Sequence, residues 1–96
     1  MPEYENGIDL SVEIDPRVKD CRNDASLLRL AVTLAVEEGR MSTSVLQRRL
    51  GVGFGKACEL LILMEQLGAI VPGERFRPSR VVWEAEELAC FLARQD

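Results

Sequence analysis

The chain has no histidine. That removes the commonest general base at neutral pH and a leading metal ligand. Cysteine is sparse too: Cys21, Cys58 and Cys90 are odd in number, far apart and form no Cys-x-x-Cys pair. They read as structural thiols rather than as a disulfide frame or a metal site. No enzyme, metal, cofactor or small-molecule substrate is expected. Long apolar runs are missing as well. The longest, Leu88 to Ala93, is six residues, followed by Leu60 to Met64 with five, against the roughly 20 that a membrane span needs. The first residues, Met1-Pro2-Glu3-Tyr4-Glu5, contain neither a basic region nor an apolar stretch. No secretory signal is visible there, so a cytoplasmic location without a membrane partner is the expectation.

What is present suits one small globular domain: 96 residues, 47% apolar and 29% charged. The net charge of −4 argues against nucleic acid only until its distribution is read. Residues 1–25 carry seven carboxylates against three cations, and residues 84–96 carry four against one. Residues 26–83 carry eight cations against five carboxylates. A basic middle between acidic ends is a legitimate cue for a polyanionic partner.

Periodicity divides the chain into an acidic N-terminal extension over 1–23, a compact unit over 24–83 and a C-terminal helix over 84–96. In the extension, Ile8, Leu10, Val12 and Ile14 alternate with Asp9, Ser11 and Glu13. That pattern fits a half-buried strand over 8–14, closed by Asp15-Pro16; a partly disordered tail is the alternative. Next, Leu27, Leu30, Ala31, Leu34 and Ala35 form one apolar stripe between a capping Asp24 and a terminating Gly39. Arg40-Met41 reads as an extended link. A short second helix follows over Val45 to Leu50, capped by Thr43 or Ser44, with Gln47 placed for a capping box on Ser44. After Gly51-Val52-Gly53 a third helix runs from about Phe54 to Leu67 and stops at Gly68. Its buried stripe is Ala57, Leu60, Leu61, Met64 and Leu67.

Ala69 to Val71 and Arg80 to Trp83 read as two strands around the turn-rich segment 72–79. The expected fold is mainly α with a small β-hairpin: a winged helix-turn-helix with a three-helix core, a wing and an extra C-terminal helix carrying Leu88, Ala89 and Leu92 on one face. Phe54 and Trp83 are expected in the core. Gly51-Val52-Gly53-Phe54-Gly55-Lys56 superficially suggests a phosphate loop, but it fails the Walker A spacing and the Gly-x-Gly-x-x-Gly pattern.

Within this frame, Ser42-Thr43-Ser44-Val45-Leu46-Gln47-Arg48-Arg49-Leu50, followed by Gly53-Phe54, resembles the C-terminal γ domain of FtsK/SpoIIIE-type DNA translocases. Ala57, Met64-Glu65, Gly68 and Ile70-Val71 continue the resemblance, which covers about two thirds of the chain. It implies a winged helix that binds short, asymmetric sequences in duplex DNA through its third helix and wing. The family's ATPase is a separate domain. A chain opening at Met1 is expected to be a free-standing, motor-less relative. The candidate DNA contacts are Ser44, Gln47, Arg48, Arg49, Gly55, Lys56, Arg75, Arg77 and Arg80.

Where the family typically shows Asn-Arg-Ala-Ala-Arg, this chain has Gly55-Lys56-Ala57-Cys58-Glu59. Arginine pairs with guanine, whereas a carboxylate accepts from cytosine and repels phosphate. The family's target sequence is therefore not carried over. Ile62 and Leu63 replace polar residues and form a candidate contact surface. The alternative function is a protein-interaction or homodimerisation module on the same scaffold.

Overall fold

The computed structural model describes residues 14–73 and 78–94. The wing tip with Arg75 and Arg77, and the proposed strand except Ile14, lie outside the described residues. Ile14 itself sits in a bend. The chain then forms a 3-10 turn, Pro16–Asp20, followed by helix α1 (Asp24–Glu38) and strand β1 (Arg40–Met41). Helices α2 (Thr43–Leu50) and α3 (Phe54–Leu67), strands β2 (Ile70–Val71) and β3 (Ser79–Val81), and helix α4 (Ala85–Arg94) complete the order. This is the winged helix expected from the periodicity. None of these helices is long and apolar enough to cross a membrane.

Helix α1 begins one residue earlier than its apolar stripe suggested. Asn23, not Asp24, is the N-cap: its side chain accepts from the Ser26 amide at 2.9 Å, and Ser26 Oγ accepts from the Asn23 amide at 3.1 Å. Two orphan donors of the first turn are thereby satisfied together. Asp24 occupies the first turn instead, where a carboxylate suits the positive end of the helix. Helix α2 is likewise capped by Ser42, which accepts from the Val45 amide at 3.3 Å. Thr43 and Ser44 are therefore inside the helix, and the Ser44–Gln47 capping box does not form. Helix α2 ends at Gly51, whose φ of +68° lies in the left-handed region. A Cβ there would also come within 3.1 Å of Ile14 Cδ1, so a side chain would strain the backbone and crowd Ile14.

Arg40–Met41 is not a link but a strand. The sheet has the order β1-β3-β2, both pairs antiparallel, with Arg40 opposite Arg80, Met41 opposite Ser79, and Ile70 and Val71 opposite Val81 and Arg80. The hairpin continues past β3, where Ala69 O accepts from Val82 N at 2.9 Å. The inward face of the sheet contributes Met41 and Ile70 to the core.

That core is shared by every helix. Leu30, Ala31, Val32, Leu34 and Ala35 of α1 meet Leu46 and Leu50 of α2, Ala57, Leu60 and Met64 of α3, and Phe91 of α4. Each large side chain removed from water contributes roughly 1.5–3 kcal/mol. Two expected core residues differ. Leu67 is 39% exposed at the last position of α3, before the Gly68 cap; Phe54 is 64% exposed at its first position. Trp83 is half-buried and packs on Phe91 with ring centroids 5.6 Å apart.

The extension is no simple tail where it is described. Asp15 is buried and caps the 3-10 turn, accepting from the Arg17 amide at 2.9 Å. Its own amide donates to Arg49 O of α2 at 2.8 Å. The turn is thereby fastened to the helical core.

Candidate nucleic-acid interface

Helices α2 and α3 meet through Gly51-Val52-Gly53 and present the pair on which a helix-turn-helix protein reads DNA. Ser44 and Arg48 are exposed on α2, and Gln47 is half-buried beside them. Gly55, in the first turn of α3, faces open space and leaves its backbone approachable. Arg80 is exposed on β3. The expected contacts on α2, at the start of α3 and on β3 thus all reach solvent, and the ion pairs of Arg49 and Lys56 shape what this surface offers.

Arg49 donates through Nη1 to Glu38 Oε2 at 2.7 Å and through Nη2 to Asp15 Oδ2 at 3.2 Å. Arg17 approaches the same Asp15 from the other side, with Nε to Oδ1 and Nη2 to Oδ2 both at 2.9 Å. Arg17 also donates twice to Glu37, at 2.9 and 3.2 Å. The result is a chain of alternating charge, Glu37–Arg17–Asp15–Arg49–Glu38. Hydrogen bonding from Arg17, opposed by burial and assisted by the Arg49 charge, holds the Asp15 carboxyl well below the usual carboxylate range. The same bond to Asp15, then that to Glu37, pushes Arg17 upward. Glu37 and Glu38 stand at the negative end of α1, an unfavourable place for carboxylates, and the two arginines compensate them.

Lys56 Nζ lies 3.1 Å from Asp24 Oδ1 and 3.1 Å from Glu59 Oε1. The hydrogen bond to Asp24, then that to Glu59, raises its pKa. With two carboxylates around one ammonium, the start of α3 is locally acidic.

Farther along α3 the outward surface mixes apolar side chains with the polar Glu65 and Gln66. Ile62 is 53% exposed, Leu63 half-buried, and Phe54 stands at the same helix's tip. Burial first, and the Asp20 charge second, push the Cys21 thiol pKa up. Among the described residues no group of three or more His, Cys, Asp or Glu side chains is placed to hold a metal.

Sequence reasoning missed the ion pairs of the buried Asp15 and the place of Arg40 in a strand. The Asp15-Pro16-Arg17 run is a detectable signal, because Asp before Pro favours a capped turn. Arg40 gave none, since a two-residue strand is too short to show a period.

Among known proteins, residues 22–84 match the family described as Ftsk gamma domain. The chain is 38% identical over 98 residues to a DNA translocase FtsK of Mycobacterium leprae. It is 40% identical over 94 residues to that of Corynebacterium glutamicum and 42% over 81 residues to that of Streptomyces avermitilis. The three alignments cover 96%, 96% and 84% of this chain, but 11%, 10% and 9% of the relatives. The chain thus spans about a tenth of the length of the curated relatives it matches. A matched segment that runs from the cap of α1 to the far end of the hairpin is the whole winged helix, and the chain belongs to the FtsK gamma domain family.

Proposed function

We propose that this chain is a cytoplasmic duplex-DNA-binding module, not an enzyme, that lays α3 in the major groove with the wing alongside. The observation that supports it most is the α2–turn–α3–hairpin order in a family whose full-length relatives are named DNA translocases. Ser44, Gln47 and Arg48 on α2, the Gly55 backbone, and Arg75, Arg77 and Arg80 of the wing supply the contacts. Arg49 is left out because it bridges Asp15 and Glu38. Lys56 is secondary because any phosphate must compete with Asp24 and Glu59. With glycine at 55 and glutamate at 59, affinity comes from the backbone more than from guanine reading.

The test is a titration of random and oriented-site duplexes at two salt concentrations. Binding should weaken steeply with salt, with a log–log slope of about −0.9 per phosphate contacted. An Arg75/Arg77 double charge reversal should reduce it strongly on every duplex. Unchanged binding in that variant removes the wing from the proposal.

One observation favours a second reading, a protein-interaction or homodimer module: Phe54 and Ile62 are exposed on α3 next to Glu59. Light scattering separates the two. A strict monomer at high concentration rejects the homodimer, and concentration-dependent dimerisation that Ile62→Gln abolishes supports it.

A further inference from the structure

We propose that Arg40 and Arg80 together form a phosphate clamp on the outward face of the sheet at the base of the wing, gripping the duplex backbone without reading its sequence. This rests on the DNA-binding reading and adds Arg40, a residue that the helix-turn-helix pattern does not point to. The pairing of β1 with β3 sets Arg40 directly opposite Arg80. Directly opposite residues of an antiparallel pair share a face, with Cβ atoms roughly 4.5–5.5 Å apart. Both arginines are exposed, while the next pair, Met41 and Ser79, is buried on the other face. On its other side Arg80 has Val71, an uncharged neighbour.

Nothing described neutralises this pair. The carboxylates closest to Arg40 in sequence are Glu37 and Glu38, and these are bound to Arg17 and Arg49. Among the described residues neither Arg40 nor Arg80 has an ion-pair partner. Like charges directly opposite in a sheet destabilise it. An anion between them turns the repulsion into two attractions. Guanidinium forks suit a phosphate, which accepts two parallel hydrogen bonds from each. Clamp and ion-pair chain are thus linked: Arg17 and Arg49 occupy Glu37 and Glu38, the carboxylates nearest Arg40 in sequence.

The experiment compares the parent with Arg40→Gln, Arg80→Gln, the double variant and Arg40→Lys. Anisotropy is read on two duplexes of unrelated sequence between about 50 and 200 mM salt. Melting is followed in inorganic phosphate and in chloride of equal ionic strength. Each glutamine variant should weaken both duplexes by the same factor, about three- to tenfold at low salt, and flatten the salt slope by about 0.9. Arg40→Lys should restore the slope but only part of the affinity, since it keeps the charge and loses the fork. The glutamine variants should melt no lower than the parent. Phosphate should raise the melting temperature of the parent and not that of the double variant.

Unchanged affinity and slope in Arg40→Gln, with the parent binding normally, overturn the clamp. So does a loss confined to one duplex, which indicates base reading. If the parent binds neither duplex, the DNA reading falls and the pair is judged on phosphate alone. A phosphate-dependent rise lost in the double variant then keeps the clamp, and its absence in the parent removes it.

Discussion

At Asp15 two guanidiniums converge on one buried carboxylate, and the sign of its pH dependence follows. Its pKa in the folded chain is held down, chiefly by the hydrogen bond from Arg17. A depressed carboxylate stabilises the fold at every pH above its unfolded value of about 4, and that stability is lost as pH falls below it. Asp15→Asn removes the charge at constant size and leaves Arg17 and Arg49 facing each other. Both arginines reach water, at 45% and 31% exposure, so the cost stays at about 1–3 kcal/mol rather than that of a fully buried orphan. Urea melts should show this gap at pH 7 and a shrinking gap between pH 4 and 2.5. A gap independent of pH would assign the effect to packing. In the sequence Asp15-Pro16 marked only the end of a strand; that Arg49, far along the chain, pairs with Asp15 was not legible, because ion pairing across elements has no sequence period.

At the scale of the elements, termini decided most of what the periodicity left open. The stripe Leu30, Ala31, Leu34 and Ala35 is buried as the 3.6-residue repeat requires, and Gly39, Gly51 and Gly68 end their helices in the left-handed region. The caps were harder, because Asn23 and Asp24, or Ser42, Thr43 and Ser44, are adjacent residues of equal capping chemistry. Only backbone geometry separates them: Asn23 and Ser42 are extended where the helix begins. The choice has a measurable edge. Asn23→Ala should cost about 1 kcal/mol, whereas Asp24→Ala should cost only a few tenths, chiefly through its dipole and the exposed contact with Lys56. Equal losses in denaturant melts would return the cap to Asp24. Strand β1 shows the opposite limit. A pair of residues carries no alternation, and its identity as a strand comes wholly from its partner β3.

At the scale of the molecule, one core receives side chains from four helices and two strands, so the domain should unfold as a unit. Trp83, the sole tryptophan, sits against Phe91 and reports on α4, whereas far-UV circular dichroism is dominated by α1 and α3. The two melts should coincide. Leu34→Ala, at a fully buried position, should lower both together by about 3–5 kcal/mol. A Trp83 transition at lower temperature would make α4 a separate unit. The winged-helix order was legible because helices of this length keep their period and the hairpin is bracketed by Gly68 and Pro78. The surface of α3 was less so. Phe54 fitted the core by residue type, yet at the first position of α3, after the Gly53 cap, it is exposed.

The ion-pair chain also has a mechanical consequence. A pull from the N-terminal side enters the described fold at Ile14 and Asp15. It meets first the Asp15 amide bond to Arg49 O, then the salt bridges through Arg17 to Glu37 and through Arg49 to Glu38. Tension is thereby divided between the end of α1 and the end of α2, rather than peeling α1 from its first turn. Under load the lifetime of the domain is set by the rate at which this junction opens. Asp15→Asn, modest in an equilibrium melt, should shorten that lifetime when the chain is pulled by its N-terminal end and not when it is pulled by α4.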